Sequence, residues 1–290
     1  MNRLFIFGFG DTALQLARLA QGRGYAVAGT VRSPEKVRAL RGSGHDVVDF
    51  VSGQPMADPA DRLRDVTHLL CSIPPDEGGD PALIAHAEDL RVPSLKWIGY
   101  LSTTGVYGDH GGAWVDETTP AAPVSDRAQR RLTAERQWLD LGARLGVSTH
   151  IFRLPGIYSP GRSALDQVRA GTARRILRPA QVFSRIHVED IATTLLASMD
   201  RSGGAAIYNV ADDEPSPQAD VVAFACELLG VQAPPLVDYA QVEASLSLMA
   251  RSFYAESRRV KNDLIKRELG VALAYPTYRE GLRAILAAGS

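Results

Sequence analysis

Arg3-Leu4-Phe5-Ile6-Phe7-Gly8-Phe9-Gly10-Asp11-Thr12-Ala13 is the stretch whose reading decides the fold. Residues 4–7 are an apolar run short enough for a buried strand, and Gly8 ends it. Leu14, Leu16, Ala17, Leu19 and Ala20 then recur with helical spacing as far as Gly22 and Gly24. Between strand and helix, Gly8, Gly10 and Ala13 stand at GxGxxA spacing. The first Gly permits the tight turn and the second lets backbone approach a pyrophosphate. The small third residue lets helix and strand pack closely. The first helical N–H groups lack intrahelical partners and point at an anion, so Asp11, Thr12 and Ala13 join the two glycines as expected dinucleotide-binding residues.

Working outward, apolar strands at 25–31, 47–51, 66–72, 97–102 and 148–153 alternate with helical segments, among them a long amphipathic one at 126–146. Such alternation implies right-handed βαβ units, and the expected fold class is α/β with a doubly wound parallel Rossmann sheet. After Pro155 the pattern loosens into short strands at 183–188 and 207–210 and helices near 190–198 and 218–229. Residues 1–155 are therefore expected to form the Rossmann dinucleotide-binding domain. Residues 156–290 are expected to form a smaller α+β substrate-facing domain, some of its chain returning to the sheet.

The second strand runs into Gly29-Thr30-Val31-Arg32-Ser33 without an acid. A site for NAD(H) usually carries Asp or Glu here for the ribose 2′-hydroxyl. Arg32, helped by Ser33, suits a 2′-phosphate instead, so NADP(H) is expected, with NAD(H) the alternative. Ser72 and Ile73, after the fourth strand, are expected to contact the cofactor, and Pro74 and Pro75 to stiffen that wall.

Composition narrows the function. Apolar residues make up 45% and charged residues 22% of the 290, which argues for a folded globule. The net charge is −1 and no Lys/Arg block occurs, so neither nucleic acid nor a lipid surface is an expected partner. Cys71 and Cys226 make neither a disulfide framework nor a metal site. No apolar run approaches the ~18 residues of a membrane span. A cytoplasmic protein acting on a small molecule is expected.

Several later strings, read together, resemble the extended short-chain dehydrogenase/reductase family of NAD-dependent epimerases and dehydratases. They are Tyr100-Leu101-Ser102-Thr103-Thr104-Gly105-Val106-Tyr107-Gly108, then Glu117, Pro120 and Pro123, and Arg153-Leu154-Pro155-Gly156-Ile157-Tyr158-Ser159-Pro160-Gly161. Ile186-His187-Val188-Glu189-Asp190-Ile191-Ala192, Tyr208-Asn209-Val210 and Arg259-Val260-Lys261-Asn262 follow in the family's order. The resemblance implies an oxidoreductase or epimerase working on a sugar nucleotide or related substrate, with Thr103 hydrogen-bonding the reacting oxygen. It also implies a homodimer paired through the 126–146 helix, for which Trp138 and Leu141 are the candidates.

The departures from the family pattern are chemical. The resemblance puts a proton-exchanging Tyr and its Lys on the long helix, and the matching positions are Arg127 and Arg131. Arg is permanently charged near neutral pH and is no proton donor, although Arg131 retains the means to hold ribose hydroxyls. The acidic pair of family dehydratases is replaced by Thr104 and Gly105, which argues against dehydration. Tyr107 and Tyr158, at the carboxyl ends of strands, are the candidate replacement acids. His187 and Asp190 are expected to hold the fold, and Asp109 and His110 to shape a loop. The other reading is a protein that binds NADP(H) as a sensor with little or no turnover.

Overall fold

The computed structural model of the chain describes residues 1–201 and 203–289. Among them, the centre is a parallel sheet of seven strands. β1 (Arg3–Phe7), β2 (Ala26–Val31), β3 (Asp46–Asp49), β4 (His68–Cys71) and β5 (Trp97–Thr103) are joined by the strands Ser148–Leu154 and Ala205–Asn209. From β1 the sheet grows through β2 to β3 on one side. On the other it runs through β4, β5 and Ser148–Leu154 to Ala205–Asn209. The order therefore reverses between β1 and β4, and ligands of doubly wound sheets bind outside the carboxyl ends at that switch point.

A central parallel strand is covered on both faces and reads as a continuous apolar run. β1 does this: Leu4 and Ile6 enter one core with Leu16, Ala17, Ile191 and Leu195, while Phe5 and Phe7 enter the other with Leu69, Tyr100 and Trp138. Burying each such large side chain contributes about 1.5–3 kcal/mol. The first core is closed by helix α1 (Asp11–Gly22) against the helix Val188–Met199. The second is closed by the long helix Asp126–Leu145. Ser125 caps its N-terminus by accepting from the Ala128 N–H, and Gly146, at φ +66°, ends it.

Three expectations are corrected here. Trp138 and Leu141 do not face a second copy. Both are buried, Trp138 stacking on Tyr100 and donating its indole N–H to Asp80 at 3.0 Å. The strand expected at 183–188 is Arg185–His187, because the His187 imidazole accepts from the Glu189 N–H and turns the chain into a helix at Val188. The strand expected at 207–210 runs instead over Ala205–Asn209, at the edge of the central sheet, to which some of the distal chain was expected to return. Its Tyr208 stacks on Phe152 and meets His150 edge-on, covering apolar surface left open by Ser148–Leu154.

Beyond the sheet, the helices Ala164–Arg169, Gln218–Leu229 and Tyr278–Ala287 enclose a separate small core of Tyr158, Leu165, Phe224, Ala225, Tyr278 and Leu282. Asp190 accepts from the Ala274 and Tyr275 N–H groups at 2.7 and 3.1 Å, which ties this region to the Rossmann core.

Candidate functional site

Gly8 takes φ +90°, a conformation that side chains rarely adopt. A Cβ there would also lie 2.7 Å from the Ser72 hydroxyl oxygen and 2.9 Å from Ile73. Ser72 donates to the Gly8 carbonyl at 2.5 Å, and the Gly8 N–H donates to the Thr30 hydroxyl at 3.1 Å. The loop is thus pinned to β2 and β4, and Ser72 and Ile73 form its wall. Gly10 caps α1 with no side-chain hydrogen bond, and the space where its Cβ would stand is open. Ala13 is buried against the strand, while Asp11 is exposed and Thr12 half-exposed. An uncapped helix start beneath a bare glycine is the cradle that a dinucleotide pyrophosphate needs, and the residues present fit it.

Arg32 is exposed and, among the described residues, its guanidinium has no hydrogen-bond or ion-pair partner. Ser33 caps helix α2 (Pro34–Gly42), accepting from the Lys36 N–H at 3.2 Å. Its hydroxyl, next to Arg32 in the chain, also hydrogen-bonds the Glu35 carboxylate.

A cleft of about 170 Å³ opens at the carboxyl end of β5. Two strand spacings, roughly 10 Å, separate that end from the Gly8 loop. Thr103, Thr104, Ser125 and Arg127 line it, together with residues 182–184 and with Ser252, Phe253, Glu256, Arg258 and Val260. Thr103 accepts from the Gly105 N–H at 3.1 Å and so shapes the turn while keeping its own proton to donate. Arg127 is exposed and unpaired among the described residues. Arg131 turns away from the cleft, donating to the Leu101 carbonyl at 2.5 Å and lying over the Tyr100 ring.

Neither candidate phenol reaches this cleft. Tyr107 is fully buried and donates its hydroxyl to Asn209 at 2.8 Å; burial pushes its phenol up, with the nearby Arg153 pulling the other way. Tyr158 packs edge-on to His187 in the small core, its hydroxyl 3.5 Å from the Thr277 carbonyl. Burial, then the charge of Asp212, pushes that phenol up as well. Neither Tyr lines the cleft, and both are buried among other residues. Asp109 accepts from the Gly111 and Ser257 N–H groups, and His110 contacts the Tyr107 carbonyl, so both shape a loop.

Beneath the cleft lies a polar chain that the sequence did not reveal. Glu135 of the long helix forms a buried two-pronged pair with Arg153, at 3.2 and 2.8 Å, and accepts from the Ser102 hydroxyl. The Arg153 guanidinium covers the Tyr107 ring at 4.8 Å, and Tyr107 leads on to Asn209, whose N–H donates to Glu117 at 2.8 Å. Ser102 precedes Thr103, so this chain fixes the strand end that lines the cleft. The visible signal was Glu135 three residues after Leu132, on the buried face of an amphipathic helix. At the cleft, Arg258 donates to Glu256 at 2.6 Å and to the Gly108 carbonyl at 2.5 Å, which commits its charge. Among the described residues no group of three or more His, Cys, Asp or Glu is placed to hold a metal ion, and no helix is long and apolar enough to cross a membrane.

Residues 83–211, which span β5, the long helix and the Arg153 network, match the model of the NAD dependent epimerase/dehydratase family. That segment therefore carries the pattern of this family. A functionally unknown conserved protein from Silicibacter pomeroyi DSS is similar over 99% of both chains, with 49% identity and a TM-score of 0.90. The fold is also that of human epimerase family protein SDR39U1 (isoform 2) with NADPH, at 18% identity, TM-score 0.73 and coverage of 98% and 99%. UDP-glucuronic acid 4-epimerase from Bacillus cereus in complex with NAD shares it too, at 14% identity, TM-score 0.75 and coverage of 98% and 96%. No curated protein matches the chain. From that family's pattern the chain departs at Arg127 and Arg131, which stand where the resemblance puts the Tyr and Lys.

Proposed function

We propose that this protein binds NADP(H) on the Gly8–Ala13 loop and exchanges a hydride with an anionic small molecule held over Thr103. The observation that carries this reading is the unpaired Arg127 guanidinium in the same cleft as Thr103, at the carboxyl end of β5. The choice of NADP(H) rests on exposed, unpaired Arg32 in place of the acid that binds a ribose 2′-hydroxyl. A fold relative bound to NADPH and another bound to NAD support a nicotinamide dinucleotide.

The bound nicotinamide supplies or accepts the hydride. Thr103 donates its hydroxyl proton in a hydrogen bond to the reacting oxygen, since the Gly105 N–H already occupies its acceptor side. Arg127 supplies fixed positive charge that holds the substrate's anionic group in the same cleft as Thr103. No Tyr, His, Lys or Cys lines the cleft among the described residues, and the Glu256 carboxylate there is paired with Arg258, so the proton itself comes from solvent. The substrate panel includes sugar nucleotides, because the Bacillus cereus relative is a UDP-glucuronic acid 4-epimerase, and small carboxylic acids, because Arg127 is unpaired.

A second reading, an NADP(H) sensor without turnover, is favoured by the burial of Tyr107 and Tyr158. The two readings part in one experiment. Nicotinamide absorbance is followed with a panel of sugar nucleotides, sugar acids and small carboxylic acids, on the natural chain and on Thr103→Ala. The oxidoreductase reading expects turnover that falls by about 10²-fold or more in the variant while NADP(H) binding survives. Tight NADP(H) binding with no redox change across the panel overturns it and leaves the sensor.

A further inference from the structure

We infer that the cleft ligand is a small monoanionic acid with an apolar or aromatic end, not a nucleotide sugar. This deepens the proposed function and rests on it. The cleft offers two kinds of surface. Thr103, Thr104, Ser125 and Arg127 are polar, whereas Val182, Phe183, Phe253 and Val260 are apolar, although Ser184, Ser252, Glu256 and Arg258 stand among the latter in the chain. Phe253 is 56% exposed although it lines the cavity, so a flat ring face stands open at the mouth. An exposed aromatic beside a cavity is a stacking platform whose desolvation favours an apolar partner.

Charge sets the other end of the ligand. Of the charged groups lining the cleft, Arg258 is committed to Glu256 and the Gly108 carbonyl. Arg127 is thus the one uncommitted cation among the described lining residues, and the Glu256 carboxylate shares the cleft with it. One free guanidinium matches one carboxylate through paired N–H donors. A nucleotide sugar brings two phosphate charges, and its second would face Glu256 and the apolar surface. Size agrees: about 170 Å³ lies below the roughly 300–1,000 Å³ of pockets that enclose larger ligands.

The test is calorimetric titration of the NADP⁺-loaded chain with 3-phenylpropionate, its neutral alcohol 3-phenylpropan-1-ol, and UDP-glucose. The acid is expected to bind at least about tenfold tighter than the alcohol, the contribution of a charge-assisted pair. Arg127→Ala should erase that preference. Phe253→Ala, a change at an exposed position, should weaken acid and alcohol by similar factors of about three to ten, the range of an aromatic contact. Tighter binding of UDP-glucose than of the acid overturns the inference, as does an acid preference that survives Arg127→Ala or no binding of the acid. Loading with NADP⁺ is measured first: failure there removes the proposed function, whereas loading without acid binding removes only this inference.

Discussion

Replacing Glu135 by Gln removes one charge and almost no volume, and it strikes the buried pair under the cleft. Glu135 and Arg153 are both buried, and their two hydrogen bonds of 3.2 and 2.8 Å replace the water each lost on folding. In Glu135→Gln the guanidinium keeps its charge and loses its counter-ion, while the Ser102 hydroxyl loses an ionised acceptor. Removing one partner of a buried pair costs about 3–5 kcal/mol. At roughly 2 °C per kcal/mol for a chain of this size, the melting temperature should fall by about 6–10 °C in calorimetry. The double variant Glu135→Leu with Arg153→Met replaces both charges by apolar groups and should recover most of that loss. A Glu135→Gln chain that melts within about 2 °C of the natural one would refute the reasoning. So would a double variant less stable than the single.

Arg32→Ala should weaken NADP(H) about tenfold or more in calorimetric titration and leave NAD(H) nearly unchanged, because only the former carries the 2′-phosphate. Equal losses would count against Arg32 as a phosphate ligand. Gly8→Ala meets both the +90° φ and the Ser72 hydroxyl, so it should abolish measurable NADP(H) binding and destabilise by about 1–3 kcal/mol in denaturant titration; retained affinity would contradict the loop geometry. His150 is buried against Trp97 and Ser198, and burial lowers its imidazole to about 4 from the ordinary 6.5. Between those values the unfolded chain holds the proton and the folded chain does not. Stability is therefore fully present above about pH 6.5 and falls as pH drops towards about 4, by at most about 3 kcal/mol. His150→Phe should flatten that part of the stability profile, and an unchanged profile would show that His150 does not drive it.

How far the sequence revealed the molecule depended on the range of the interactions. Residues 3–13 encode strand, turn and helix locally, so the loop, β1 and α1 were readable from spacing alone. Ser33 as a cap and Gly146 as a stop follow the same local rules. Trp138 and Leu141 were misassigned because an amphipathic helix shows that it has an apolar stripe, not which neighbour covers it. Tyr107 and Tyr158 sit in loops by sequence yet are enclosed by Asn209, Arg153, His187 and Thr277, partners 29 or more positions away. Ala205–Asn209 looked like part of the distal region since its partner strand lies across a long insertion. The distal lining of the cleft, Phe253 with Glu256 and Arg258, carries no motif at all. Only folding brings it into one cleft with Thr103.

The polar chain from Ser102 through Glu135, Arg153 and Tyr107 to Asn209 also sets an order of events during synthesis. When the long helix has left the ribosome, the counter-ion of Glu135 is still being made, and Asn209 comes much later. Until then the helix cannot dock on β5 without stranding a carboxylate in an apolar interior. A nascent chain stopped near residue 155 would likewise lack both the Val188–Met199 helix over α1 and the Ala205–Asn209 edge. The sheet and the helices on it therefore reach their final packing only after the chain as far as Asn209 has emerged, so residues before and after 155 close as one folding unit.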